Sequence, residues 1–226
     1  MKKIRINNKW NLKVADHKVD RGNWDTWEFN RLREMRETIK KGDVVFDIGA
    51  EEGDLSCLFA KWIGNGVILL VEPSELLFPC IKQTFKANNI NAEVWSFSGF
   101  ICDEGKTGEV IKGFPECADN EIDPNMGFRH LSEDRTTPRM RLNDLLDFDY
   151  IPNVITIDVE GSELEVLRSG IELLERYKPT VFLSIHKDFM LERYHSSPEQ
   201  IFRLMRGMGY HDKYLGTDHE IHYKFY

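Results

Sequence analysis

Residues 44–54 read VVFDIGAEEGD. Val44, Val45, Phe46 and Ile48 enclose a single aspartate, Asp47, and a glycine turn follows. Leu55, Leu58, Phe59 and Trp62 then recur at i, i+3, i+4 and i+7, ahead of Gly64. This pattern predicts a strand, a tight turn and a helix closed by a glycine C-cap. Strand–turn–helix units of this kind hold phosphate in many nucleotide-binding folds. This turn, however, is lined by Asp47, Glu51, Glu52 and Asp54.

Four more apolar runs follow: Val67–Val71, Val94–Phe97, Val154–Ile157 and Val181–Ile185. They are rich in β-branched and aromatic residues and show little polar alternation, which predicts parallel strands covered on both faces. Helical signals lie between them. Leu164, Leu167 and Ile171 form one apolar face, with Gly170 near the end of its first piece. Ser197-Pro198-Glu199-Gln200 has the capping-box pattern with proline at the first helical position, and Ile201, Leu204, Met205 and Met208 continue the stripe. The alternation predicts an α/β fold, a doubly wound, mostly parallel Rossmann-like sheet with helices on both faces.

One domain spans residues 1–226. Residues 1–40 read as an N-terminal helical cover, a short strand and then a helix with Trp27, Leu32, Met35 and Ile39 as apolar positions. Residues 41–190 form the core. Within it, the polar, glycine- and proline-containing stretch 103–140 reads as an insertion, either a lid or a surface excursion. Residues 191–226 hold a helix and, around Gly216-Thr217-Asp218, a hairpin at the sheet edge.

The chain has 226 residues, 41% hydrophobic and 30% charged, with a formal net charge of −8. An acidic chain gains nothing from counterion release, so no nucleic-acid partner is expected. No apolar run approaches the roughly 18 residues of a membrane span. MKKIRINNKW has no apolar stretch behind it and is not a secretory signal. Cys57, Cys80, Cys102 and Cys117 form no CxxC, so free thiols in a reducing, cytoplasmic compartment are expected.

Ligands of open parallel sheets bind beyond the carboxyl ends of the strands. Here those ends carry Asp47, Glu72, Asp158 and His186. The opening turn lacks two of the three glycines of G-x-G-x-x-G, and no Gly-Lys-Ser/Thr is present. What remains is D-x-G-x-x-x-G, made of Asp47, Gly49 and Gly53. A pyrophosphate beside Glu51 and Glu52 meets like charge, whereas a cationic ligand without phosphate meets complementary charge. S-adenosylmethionine, with its sulfonium and ammonium, fits that description. Glu72, followed by Pro73, is placed to accept hydrogen bonds from both ribose hydroxyls. The stretch WSFSGF (95–100) ends the third strand, where its aromatics and Ser98 either border the adenine or pack as core.

VVFDIGAEEGDLS, LLVEPSE, RLNDLLDF and ITIDVEGSELEVLRSG resemble, in order and spacing, the successive motifs of FkbM-type methyltransferases over roughly residues 25–190. The most specific part is D-V-E-G-x-E (Asp158, Val159, Glu160, Gly161, Glu163), followed by K-P and a strand ending in histidine. The resemblance implies a class I fold, S-adenosylmethionine as cofactor, and methylation of a hydroxyl on a sugar, glycan or glycosylated small molecule as acceptor. The chain departs from the family at Glu51 and Glu52, where the family commonly has a small or amide residue, and over 112–135, which matches nothing in it.

Methyl transfer from sulfonium to oxygen requires in-line alignment and removal of a proton. His186 is expected as the base, with Asp158 and Glu160 orienting the acceptor. Alternatively, Asp158, Glu160 and Glu163 hold magnesium or calcium, or the last two only stabilise a helix N-terminus. In WDTWEF, Glu28 is placed near the cofactor ammonium, with Trp24 or Trp27 facing the sulfonium or simply docking the helix. A nicotinamide-dependent oxidoreductase and a catalytically inactive binding module of the same fold remain the alternatives.

Overall fold

The computed structural model describes residues 1–19, 22–122 and 136–226. The chain opens with a hairpin, β1 (Lys2–Ile6) and β2 (Trp10–Val14), followed by α1 (Phe29–Thr38). The core then runs β3 (Val44–Ile48), α2 (Asp54–Ile63), β4 (Val67–Val71), α3 (Phe78–Ala87) and β5 (Glu93–Phe97). Short strands β6 (Phe100–Ile101), β7 (Ile111–Lys112) and β8 (Arg139–Met140) come next. Then follow β9 (Val154–Ile157), α4 (Glu163–Ser169), α5 (Ile171–Tyr177) and β10 (Thr180–Ile185). The chain ends with α6 (Lys187–Tyr194), α7 (Pro198–Gly207), β11 (Asp212–Thr217) and β12 (Ile221–Phe225).

The main sheet has the order β11-β12-β10-β9-β3-β4-β5-β7. β10, β9, β3, β4 and β5 are mutually parallel; β12 runs antiparallel to both β10 and β11, and β7 antiparallel to β5. The five apolar runs of the sequence are these five parallel strands. Their residues divide between two cores by strand alternation. Phe46, Ile48, Leu69 and Val71 face the layer of α4, α5 and α7. Val45, Ile68 and Leu70 face α1, α2, α3 and the N-terminal hairpin. From β3 the strand order runs outward in both directions, so the gap between the carboxyl ends of β3 and β9 is the topological switch point.

Three expectations change. The N-terminus holds two strands ahead of the helix, since KKIRI and WNLKV both alternate and pair across Asn7-Asn8-Lys9. Trp24, Trp27 and Glu28 precede α1 instead of lying within it. Ile171 is exposed, because Gly170 ends α4 and the chain restarts as α5, which buries Leu173 and Leu174 instead. The capping box at Ser197 forms as expected. The C-terminal hairpin forms too, with β11 as the outer strand. The middle of the 103–140 insertion, residues 123–135, lies outside the described residues. Its flanks pair β7 with β5 and β8 with β6.

Candidate active site

The β3–α2 turn is shaped by two glycines. Gly49 has φ +92°, and a Cβ there lies 1.8 Å from the Asp158 carbonyl oxygen, so the turn passes hard against the end of β9. Gly53 has φ +78° and caps α2; a Cβ there lies 2.9 Å from Ile81. Between them Glu51 adopts φ +48°, a left-handed conformation uncommon outside glycine. Its backbone N–H donates to Glu72 Oε2 (2.9 Å), and the Ser74 N–H donates to Glu72 Oε1 (2.9 Å). The end of β4 is thereby tied to the turn. Burial pushes Glu72 up to about 8. Burial likewise lifts Asp47 to about 7, although Ser56 donates to its Oδ2. At the end of β5, Phe97 is core, while the buried Ser98 Oγ has no hydrogen-bond partner.

The acidic surplus of the turn is met from within the chain. Lys18, 7% exposed, places Nζ 3.2 Å from Glu51, 3.3 Å from Asp54 and 3.8 Å from Glu52. His17 Nε2 lies 2.6 Å from Glu52 Oε2. Burial pulls Lys18 down, but the three carboxylates outweigh it and hold its proton firmly. Burial lifts Asp54 to about 6 despite Lys18. Glu51 and Glu52 therefore balance an internal cation, and a cationic ligand is not needed to explain them.

The ends of β9 and β10 carry a second network. Arg31, 2% exposed, donates from Nη1 to Glu28 (2.7 Å) and Asp158 Oδ2 (3.2 Å), and from Nη2 to Thr156 Oγ1 (3.1 Å). Glu28 is thus bound to a guanidinium, and burial raises it to about 7. Ser184 Oγ donates to Asp158 Oδ2 (2.9 Å). The Asp158 side chain remains 30% exposed.

His186 sits at the end of β10 among three carboxylates. Nδ1 is 2.7 Å from Glu163 Oε1, and Nε2 is 3.5 Å from Asp158 Oδ1 and 3.4 Å from Glu220 Oε1. Burial lowers its pKa, but the Glu163 and Glu220 hydrogen bonds and the Asp158 charge raise it to about 10. The three carboxylates favour the imidazolium, the form that has no lone pair to act as a base. The geometry favours His186 as a cation beside Asp158 over its expected role as base.

The structure brings Asp47, Gly49, Gly53 and Glu72 together at the carboxyl ends of β3 and β4, with Asp158 and His186 at the neighbouring ends of β9 and β10. Glu160 lies in the turn after β9 at φ +56°, and Pro73 follows Glu72. Glu163 Oε1 is taken by His186 and by the Gly161 N–H (3.0 Å). Asp158, Glu160 and Glu163 do not gather as a metal-binding set. Among the described residues that geometry belongs to Asp218, Glu220 and His222. Trp27 packs 5.2 Å from the His219 ring and 5.4 Å from Trp24. Lys18, Arg31, Ser184 and Glu220 were not legible as site residues. Only Arg31 carried a signal, its i+3 spacing from Glu28.

A parallel sheet in this order, with a D-x-G-x-x-x-G turn at the switch point and an acidic residue ending the next strand, defines a class I S-adenosylmethionine-dependent methyltransferase. Residues 47–211 match the methyltransferase FkbM domain, and the chain belongs to that family. The structure is similar to the methyltransferase FkbM from Methylobacillus flagellatus KT (TM-score 0.54, 13% identity, 82% of this chain and 44% of that one). It is also similar to precorrin-6y C5,15-methyltransferase from Geobacter metallireducens GS-15 (TM-score 0.54, 11% identity, 95% and 93%). A methyltransferase from Pyrococcus furiosus is comparable (TM-score 0.50, 15% identity, 95% and 87%). At these identities the likeness establishes the fold, and the chain spans less than half of the M. flagellatus structure. No curated protein matches the sequence. Among the described residues no helix is long and apolar enough to cross a membrane.

Proposed function

We propose that the chain is an O-methyltransferase acting on a hydroxyl of a sugar, glycan or glycosylated small molecule in the cytoplasm. Family membership decides for methyl transfer over the nicotinamide reading. When bound, S-adenosylmethionine supplies an electrophilic methyl group on its sulfonium. Asp47, Gly49 and Gly53 hold its methionine end, Glu72 accepts from the ribose hydroxyls, and Pro73 and Ser98 border the adenine.

The observation that carries the oxygen acceptor is Asp158. It is a partly open carboxylate at the end of β9, beside the Gly49 turn, fixed on one oxygen by Arg31 and Ser184 and flanked on the other by His186. Such a group accepts a hydrogen bond from an acceptor hydroxyl, orients it and takes its proton as the oxygen gains the methyl. Arg31 and the His186 imidazolium keep the carboxylate in place and exclude other orientations. Glu160, in the adjacent turn, positions the acceptor.

The test is a screen of sugar nucleotides, oligosaccharides and glycosylated small molecules for transfer of labelled methyl, with every hit repeated on Asp158→Asn. O-methylated product that disappears in the variant supports the reading. Product methylated on carbon or nitrogen contradicts it.

A further inference from the structure

The chain carries 38 acidic residues against 30 basic ones, yet residues 1–13 hold four lysines, one arginine and no acid. The N-terminal hairpin sorts them by strand alternation. Ile4, Ile6, Leu12 and Val14 are buried in the core they share with α2 and α3. Lys3, Arg5, Asn11 and Lys13 lie on the outer face and are exposed. The register sets Lys3 directly across from Lys13, and Arg5 across from Asn11. Side chains opposite one another on one face stand about 5 Å apart, and like charges there destabilise a sheet. Among the described residues no carboxylate forms an ion pair with Lys3, Arg5 or Lys13 to relieve that repulsion.

The face is held firmly. Asn88 brackets the Lys13 backbone, accepting from its N–H (2.9 Å) and donating to its carbonyl (2.7 Å), and Lys61 Nζ donates to the Asn11 carbonyl (3.0 Å). An apolar element lies beside the turn of the hairpin. Phe29 is 41% exposed, with Lys9 Nζ 5.5 Å and Arg33 Cζ 5.8 Å from its ring. An exposed aromatic ring flanked by cations suits a membrane interface, where the ring sits at headgroup level and the cations meet anionic headgroups.

We propose that the outer face of the β1–β2 hairpin, with Lys9, Phe29 and Arg33 beside it, docks the protein on an anionic lipid surface. A lipid surface fits the face better than a nucleic acid does. The strands are only five residues each, and an extended polyanion running past them meets a chain of net charge −8. A bilayer meets only the side turned towards it, and acidic groups more than a Debye length away, about 8 Å, are screened from it. The contact is peripheral and does not depend on the nature of the methyl acceptor.

The test is co-sedimentation of the full chain with vesicles of phosphatidylcholine alone and of phosphatidylcholine mixed with phosphatidylserine, at low salt. The chain should pellet only with the anionic vesicles and be released as salt is raised to about 0.5 M. Each basic residue near such a surface strengthens binding roughly fivefold. The double variant Lys3→Glu/Arg5→Glu should therefore weaken binding about 25-fold or more, with no loss of melting temperature. Lys106→Glu/Arg203→Glu makes the same change in net charge at exposed positions outside the hairpin and should bind as wild type does. No pelleting with anionic vesicles, equal pelleting with both kinds, or the same loss in both double variants overturns the proposal. So does binding to single-stranded or duplex RNA, read by fluorescence anisotropy, in place of binding to vesicles.

Discussion

Replacing Lys18 by methionine keeps the length of the side chain and removes its charge. Three carboxylates lie within 4 Å of the ammonium. At an effective dielectric of about 20, each contact near 3.3 Å carries about 5 kcal/mol of attraction. Most of that is offset by burying the ammonium and by repulsion among Glu51, Glu52 and Asp54. The net cost of removing one partner of a buried cluster is about 3–5 kcal/mol. For a chain of this size that lowers the melting temperature by roughly 6–20 °C. The loss should depend on pH. Asp54 has a folded pKa of about 6, above its usual 3.8, because of burial. An acid raised on folding binds extra protons when folded, so its contribution to stability falls as pH rises from about 4 to 6. Without Lys18 the Asp54 pKa moves higher and the falling window extends upward. Thermal melts by circular dichroism should therefore show a larger gap between wild type and Lys18→Met at pH 8 than at pH 5. A gap below about 1 kcal/mol, or one equal at both pH values, refutes the assignment of Lys18 as counter-charge to the turn.

Glu72→Ala should weaken S-adenosylhomocysteine about 10- to 100-fold in calorimetry, the equivalent of losing two ribose hydrogen bonds; an unchanged affinity places the ribose elsewhere. Asp158→Asn should slow methyl transfer about 10²- to 10⁴-fold in single-turnover kinetics while cofactor affinity stays within a few-fold. Retention of the rate removes Asp158 from the chemistry. Because the pKa of His186 is raised on folding to about 10 from 6.5, its stabilisation is complete below pH 6.5 and fades as pH climbs through 10. Nitrogen-15 NMR of the ring should accordingly show imidazolium at pH 8, and a neutral ring there would restore it as a candidate base.

The sheet was legible because a parallel strand buried on both faces is mostly apolar, and VVF, VILLV, VITI and VFLSI are such runs, interrupted only by Thr156 and Ser184. Strand ends were legible for the complementary reason: Asp47, Glu72, Asp158 and His186 interrupt runs that have no internal use for charge. The counter-charges were not legible. Lys18 meets Glu51 across 33 positions and Arg31 meets Asp158 across 127, and no local periodicity encodes either pairing. The same limit applies to His186. Its position suggested a base, but its protonation is set by Glu163 and Glu220, and the second of these arrives on a hairpin at the end of the chain.

The central claim is that the crevice between β3 and β9 takes S-adenosylmethionine and not a dinucleotide. Isothermal titration of the wild-type chain with S-adenosylhomocysteine and, separately, with NAD tests it most directly. One equivalent of S-adenosylhomocysteine should bind, and NAD should give no heat of binding. Saturable binding of NAD without any binding of S-adenosylhomocysteine contradicts the account.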